Sequence, residues 1–394
     1  MQSPRVLFLL KHRTFDSTYD NAYSVDSEYG STLDGPSSYT KHLASGLTIS
    51  VDFVIQMLEE MGVQCKAVQV PDNNDIDREV HRYKPTHVII EALWVVPEKF
   101  EVLHQLHPHV KWIVRIHSEI PFLSNEGIAI DWITRAAGYM DVVIAANSHN
   151  AKEDIHHILK SVYPGWTAHE MKKKVICLPN YYSLVAMEDL VAAMNLAPEP
   201  TCIRDLEFWN DDGVVLNAAC FGSIRPLKNN LIQAVAAIRY AESEGATLHF
   251  HINGERVEGG SNVVRNLRAL FLETKHVLVE HPWMDHNLFL RLLSWMDVSL
   301  CVSFSETFCI VAGDSVAAGV PTVVSTQVAW ASCFAMADPT KSHSIESAIR
   351  RALGPSLSSV GKFLNRRSLR LYCRQARESW ARYFGLGGRG GDQL

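Results

Sequence analysis

Glu306 and Asp314 stand eight residues apart in SETFCIVAGDSVAAGVP, residues 305–321, with an almost wholly apolar run between them and a Gly-Val-Pro stop after them. Carboxylates so placed accept hydrogen bonds from hydroxyl groups, each worth about 1.5–3 kcal/mol when charge-assisted. The strand-like DVSLCVS (297–303) precedes them, so the spacing predicts a helix over TFCIVAGDSVAAG. Glu306 then lies just before its start and Asp314 about two turns in. Eight residues of helix rise ~12 Å and leave the two positions within ~80° of each other. A nucleoside diphosphate sugar has about that separation between its ribose and its sugar ring. Between the acids, the backbone N–H groups of Thr307, Phe308 and Cys309 and the positive end of the helix dipole suit a diphosphate. A competing reading makes Glu306 a helix cap and Asp314 a surface acid.

SETFCIVAGDSVAAGVPTVVS (305–325) resembles the E-x7-E motif of the retaining glycosyltransferases with GT-B fold, a large family that includes sucrose synthase and bacterial glycogen synthase. The resemblance implies that Glu306 holds the donor sugar. Asp314, an Asp where the family has Glu, stands at its ribose position. CFGSIRPLKNN (220–230) resembles the family's Gly-x-x-Arg-x-x-Lys-(Asn) element. Arg225 and Lys228 would then neutralise the leaving diphosphate, and Gly222 would let the backbone approach it. LPNYY (178–182) and NSHN (147–150) resemble family strand ends, and ASGLTISVDFVIQMLEEMG (44–62) resembles the glycine turn and first helix, with Gly46 alone of the usual glycine pair. His117 ends KWIVRIH where the family has a His over the reaction centre. THVIIEALWVVPEKF with WIVRIHSEIPF also resembles glycosyltransferases carried by tailed bacteriophages. Retention without an evident nucleophile implies front-face transfer, with positioning and positive charge as the protein's contribution.

Those residues need strands to end beside one another. Apolar runs at VLFLL (6–10), CKAVQV (65–70), THVIIEAL (86–93), KWIVRIH (111–117), DVVIAANS (141–148) and KVICLPN (174–180) alternate with helical patterns. A second alternating unit follows, with strands at VVLNAACFG (214–222), TLHFHING (247–254), HVLVEHP (276–282), DVSLCVS and PTVVST (321–326) and a helix over 229–245. The expected fold is therefore α/β, two Rossmann-like parallel-sheet domains facing across a cleft. The expected boundaries are 1–197 for the acceptor-side domain and 198–361 for the donor-nucleotide domain. A basic helix over 362–386 crosses back to the first domain, and a flexible tail covers 387–394. The polar, Tyr-rich segment 11–45 would leave the carboxyl edge of the first sheet, where α/β folds bind ligands. A lid or acceptor-contacting loop is the reading adopted for it.

The totals narrow the classes. A chain of 394 residues suits two domains, and a formal net charge of −6 excludes a general polycation. No apolar stretch reaches the ~20 residues of a membrane span, and Val6 to Leu10 is too short for a signal-peptide core. Eight scattered cysteines without a CxxC pair read as reduced thiols of a cytoplasmic protein, in the host cytoplasm if phage-encoded. His104, His107 and His109 form no complete ligand set and read as a solvated helix end. Asp75-x-Asp77 reads as helix capping, so no metal is expected.

The sequence leaves three functions open: a hexosyl- or pentosyltransferase using a UDP- or GDP-sugar on a glycan or small molecule, the same enzyme acting on DNA, and a non-catalytic nucleotide-sugar binder. Tyr19, Tyr23, Tyr29 and Tyr39 could stack on a flipped base, and Arg366, Arg367, Arg370, Arg374, Arg377 and Arg382 could track phosphates. With the phage resemblance they favour 5-hydroxymethylpyrimidine in DNA as the acceptor. Structural pairing is the other reading of the arginines. The sugar, the nucleotide and the oligomeric state are not legible.

Overall fold

A computed structural model describes residues 3–12, 46–195 and 214–386. The expectations for segment 11–45, its tyrosines, the join between the two halves and the tail fall almost entirely outside those residues.

The apolar runs form two six-stranded sheets, parallel at every pairing. The first contains β1 (Arg5–Lys11), β2 (Gln64–Val70), β3 (His87–Glu91), β4 (Lys111–Ile116), β5 (Val142–Ala146) and β6 (Val175–Cys177), in the order β2-β1-β3-β4-β5-β6. The second contains β7 (Val215–Ala219), β8 (Thr247–Asn253), β9 (Val277–His281), β10 (Val298–Cys301), β11 (Thr322–Ser325) and β12 (Met336–Ala337), in the order β12-β11-β10-β7-β8-β9. Valine, isoleucine and leucine run without polar alternation through β1, β3 and β4 because helices cover both faces of the sheet. β12 escaped the sequence reading, since two residues carry no period.

Each sheet reverses its winding once, between β1 and β3 in the first and between β7 and β10 in the second. Crossovers leave such a point in opposite directions, so the loops beyond the strand ends part and open a crevice. In the second sheet those loops are residues 220–229 and 302–309, which contain Arg225, Lys228 and Glu306. In the first sheet the crevice is edged by the loop after β3, and β4 beside it delivers His117.

Two helices matter to the cleft. The helix after β10 runs Ile310–Ala317, starting three residues later than the pattern predicts, because Cys309 takes a left-handed φ of 60°. Thr307, Phe308 and Cys309 are thus loop, bent at the first two and left-handed at the third, and Asp314 sits little more than one turn into the helix. The long helix Leu357–Phe384 packs Gly361 against Phe334 near its start, and near its end buries Trp380 among Phe8, Met57 and Leu178 of the first half.

Candidate active site

The loop after β7 is shaped before it meets any ligand. Gly222 has φ 109° and donates its N–H to Asn253 Oδ1 at 2.8 Å, which turns the chain away from the strand. Pro226–Lys228 is a single 3₁₀ turn closed by Asn229 at φ 60°. Asn229 Nδ2 donates to Val302 O (3.0 Å) and Pro339 O (2.8 Å), while Gln233 Nε2 donates to Lys228 O and Gln233 Oε1 accepts from Val302 N, both at 2.8 Å. Phe304 N donates to Leu227 O at 2.8 Å. The loops after β7 and β10 are therefore one bonded unit. Left-handed backbone at non-glycine residues costs energy and persists only where surroundings impose it. Among the described residues four have it, and three of those, Ala92, Asn229 and Cys309, adjoin Glu91, Lys228 and the Thr307–Phe308 loop.

That unit brings Lys228 Nζ onto Glu306 Oε1, which also accepts from Ser303 Oγ at 2.9 Å. Burial opposes the lysine's charge, but the Glu306 carboxylate outweighs it and holds Lys228 above its ordinary range. Arg225 Nη2 pairs with Glu258 Oε2, and its guanidinium lies 5.2 Å from the Phe122 ring centroid in the facing half. Burial opposes ionisation of Glu258, yet Arg225 and Arg256 together hold it below the usual carboxylate range. Lys228 is thus charged at neutral pH, and it and the Arg225 guanidinium are held at the wall of one cavity.

The cavity is open to solvent, with about 380 Å³ of space between its walls and at its mouth. Arg225, Leu227, Lys228, Ser305, Glu306 and Thr307 line it from the second half, and His117, Ser118, Glu119 and Phe122 from the first. Thr307 crosses the gap, its Oγ1 donating to His117 O at 3.1 Å and accepting from Asn147 Nδ2 at 3.2 Å. His117 itself is tied from behind. Its Nε2 meets Glu91 Oε2, and its Nδ1 lies 3.3 Å from Asn147 Nδ2. Glu91 and Arg115 are both 0 % exposed. Arg115 donates to Glu91 Oε2 (3.1 Å), Leu178 O (3.0 Å) and Asn180 Oδ1 (2.6 Å). Burial opposes Glu91's charge, but Arg115 and His117 outweigh it and hold the carboxyl low. Burial, then Arg115, hold the His117 imidazole below its usual range. The neutral ring therefore donates from Nε2 to Glu91 and accepts at Nδ1 from the amide. Both nitrogens have protein partners.

Asp314 is no surface acid. It is 2 % exposed, and its Oδ1 accepts from Tyr182 Oη at 2.7 Å and from His286 Nε2 at 3.0 Å. Burial opposes protonation of His286, and the bond to Asp314 more than reverses this, raising its pKa. Glu306 caps nothing, since Cys309 occupies the position before the helix and makes no side-chain capping bond. Phe308 is buried, and its carbonyl accepts from Trp330 Nε1 at 2.5 Å. The buried Cys309 thiol is pushed well above its ordinary range by its hydrogen bond to Cys301 and by burial. Gly46 begins the first helix (Gly46–Glu60) against Ile310, where a Cβ would lie 3.6 Å from Cγ2. Of the expected site residues the cavity gathers His117, Arg225, Lys228, Glu306 and Thr307; Gly46, Gly222, Phe308, Cys309 and Asp314 lie outside its lining.

The histidine run resolves into pairs. His104 Nδ1 meets Asp141 at 2.9 Å, and His107 Nε2 meets Asp77 at 2.8 Å. His107 is 7 % exposed, which corrects the solvated helix end read from the sequence. Asp75 and Asp77 sit in the first turn of the helix Asp75–Tyr83. Residues that the sequence reading passed over, Glu91, Arg115, Glu119 and Glu258, carry no local pattern. The charge in the buried strands HVIIE and KWIVRI was the available signal for the first two.

No protein-family model matches the chain, and no curated protein matches it. Solved structures do. The α,α-trehalose 6-phosphate synthase of Burkholderia multivorans is similar over 100% of both chains, with 12% identity and a TM-score of 0.67. The E. coli trehalose-6-phosphate protein bound with UDP-2-fluoro glucose is similar over 96% of this chain and 98% of its own, at 11% identity and a TM-score of 0.63. A UDP-forming synthase of Burkholderia xenovorans in complex with glucose-6-phosphate is similar over 79% of this chain and 76% of its own, at 11% identity and a TM-score of 0.59. Such identities speak to architecture. The two parallel sheets, their winding reversals and the cleft between them are those of the GT-B fold.

Proposed function

We propose that the protein is a retaining glycosyltransferase that moves a sugar from a UDP- or GDP-sugar to an acceptor hydroxyl. The observation that carries this reading is the cavity itself, where two charged cations and Glu306 meet at the winding reversal of the second sheet. The likeness to trehalose-6-phosphate synthases, one bound with a UDP-sugar analogue, supports the same reaction class. In it the acceptor oxygen attacks the anomeric carbon from the face that the diphosphate leaves. The bond from that carbon to the phosphate oxygen breaks, and the acceptor's proton passes to the departing phosphate. Arg225 and Lys228 stabilise charge growing on the diphosphate. Glu306 orients the sugar hydroxyls, and Asp314 serves the ribose end of the donor through its bonded pair with His286. Thr307, Phe308 and Cys309 offer backbone groups to the diphosphate, with Gly222 and Gly46 allowing close approach. His117 shapes the reaction centre.

The test is a thermal-shift screen of UDP- and GDP-sugars, since a ligand at 100 times its dissociation constant stabilises by ~2.7 kcal/mol. Release of the nucleoside diphosphate and NMR of the product anomer then follow with any donor that binds. Release without an acceptor excludes the mere binder. Because two protein cations take the leaving-group charge, turnover is expected to survive a chelator; loss in EDTA restored by manganese would sink that assignment.

For the acceptor we propose a 5-hydroxymethylpyrimidine in DNA. Arg367, Arg374 and Arg382 support it, being exposed on the last helix and without an ion pair among the described residues. A glycan or small molecule is the second reading. It is favoured by the pairing of Arg366 and Arg370 with Glu188 and of Arg377 with Glu60, which spends half of the basic run on the fold. Incubation with hydroxymethylated DNA, digestion to nucleosides and mass analysis separate the two.

A further inference from the structure

The two walls of the cavity differ in charge. Among the described residues, the second half supplies the cations, while the first supplies a carboxylate, Glu119, and no cation. Glu119 is 6 % exposed, and among the described residues it forms no ion pair. Its Oε1 accepts from Ser148 Oγ at 2.5 Å. Its backbone is fixed as well, because its carbonyl accepts from Phe122 N (3.0 Å) and Leu123 N (3.1 Å) at the turn Ile120–Leu123. A carboxylate has about four acceptor positions and donates nothing when ionised. Here Ser148 fills one. Nothing in the donor chemistry above uses the rest. Burial, and Asp154 nearby, raise its pKa against the bond from Ser148, so ionisation is disfavoured here and a further hydrogen-bond donor would relieve it.

We propose that Glu119 receives the acceptor's attacking or neighbouring hydroxyl, and that the acceptor shows neutral hydroxyls to this wall and no phosphate. The inference rests on the glycosyl-transfer reading and specifies its acceptor half. A hydroxyl that donates to Glu119 is held on the side of the cavity facing Arg225 and Lys228, so its oxygen lone pairs are left free for the anomeric carbon. A phosphomonoester set against the same wall meets an acidic group that has no cationic partner among the described residues, in a partly desolvated place where like charges repel. Arg225 and Lys228 cannot relieve this, since the donor's diphosphate engages them.

The experiment uses the full chain and the nucleotide sugar that the thermal screen selects. Probe acceptors are glucose, glucose 6-phosphate and an oligonucleotide containing 5-hydroxymethylcytosine. Donor hydrolysis by water and calorimetric UDP or GDP binding are read alongside. The expected result is faster transfer to glucose, or to the neutral hydroxymethyl group of the oligonucleotide, than to glucose 6-phosphate. Glu119→Ala should raise the preferred acceptor's KM about tenfold or more, with hydrolysis and nucleotide affinity unchanged within twofold; Glu119→Gln, which keeps one acceptor oxygen and the shape, should fall between. If Glu119→Ala does not fold, Glu119→Gln carries the comparison. An unaltered acceptor KM, preference for glucose 6-phosphate, or no transfer to glucose or to the oligonucleotide's hydroxymethyl group while hydrolysis proceeds would overturn this inference and leave the donor reading standing. Absence of both nucleotide binding and hydrolysis in the wild-type protein overturns the donor reading and this inference with it.

Discussion

Lys228 and Arg225 each face a carboxylate across a partly desolvated contact, and burial does not discharge Lys228. In the proposed transfer their effect on the leaving diphosphate grows as the bond breaks, so the rate should suffer more than the affinity. Arg225→Ala with Lys228→Ala is expected to lower kcat by about 10³-fold or more while circular dichroism and melting stay near wild type, on the scale of single oxyanion donors at 10²–10³. A double variant with wild-type turnover removes both residues from the mechanism. Glu91 acts through another side chain. With Arg115 it forms a fully buried pair, and it fixes His117 as the Nε2–H tautomer. Breaking such a pair by truncation costs about 3–5 kcal/mol, so Glu91→Gln is the informative change. It should lower kcat about tenfold at unchanged donor KM and alter the ¹⁵N shifts of His117. Unchanged His117 shifts would show that Glu91 serves the core alone.

At the scale of elements, the cavity depends on two loops being one unit. Asn229 joins them with bonds to Val302 and Pro339 while holding a left-handed backbone that Asn tolerates better than most residues. Asn229→Ala should lose about 1–3 kcal/mol from two unpaired buried carbonyls. It should also weaken nucleotide binding by loosening Lys228, which lies one residue before it. Denaturant melts and calorimetry of UDP or GDP read the two effects separately. A variant that is destabilised but binds normally would show that the loop is braced elsewhere. The helix carrying Asp314 illustrates how an element departs from its pattern. Apolar periodicity runs from Thr307 onward, but Trp330 claims the Phe308 carbonyl and Cys309 turns left-handed, so helical bonding begins at Ile310. No local rule contains a partner 22 residues away.

The whole molecule carries a pH signature. Burial pushes His87 and His281 down to about 4 and His251 well below its ordinary value. His251 stacks on His281, with ring centroids 5.2 Å apart, inside the second sheet. Each group has a folded pKa below its unfolded value near 6.5. The unfolded chain therefore binds more protons as pH falls through that value, and stability is lost from about pH 6.5 downward to about 4. Glu91, whose folded pKa is depressed, adds a further loss at lower pH as it protonates. The melting temperature should thus already drop between pH 7 and pH 5, above the range where ordinary carboxylates titrate. A flat profile there would mean that these histidines are hydrated in solution.

The alternation of apolar runs with helical patterns was enough to reach two parallel sheets, because a strand buried on both faces must be apolar along its length and a parallel partner needs a crossover. The family resemblance of CFGSIRPLKNN and SETFCIVAGDSVAAGVP pointed to Arg225, Lys228 and Glu306, and the structure places all three in the lining of one cavity. Sheet order was not legible, and it is what brings the loop after β7 beside the loop after β10, some 80 residues on. Nor were the residues that act across the two halves. Glu119 reaches the cavity through the placement of β4, Glu91 reaches His117 through the pairing of β3 with β4, and Asp314 is sealed by Tyr182 and His286 from opposite sides of the chain's midpoint. Periodicity records which face of an element is buried. Which polar groups meet inside is decided only when separate elements pack, because hydrogen bonds and ion pairs depend on distances that the order of residues does not contain.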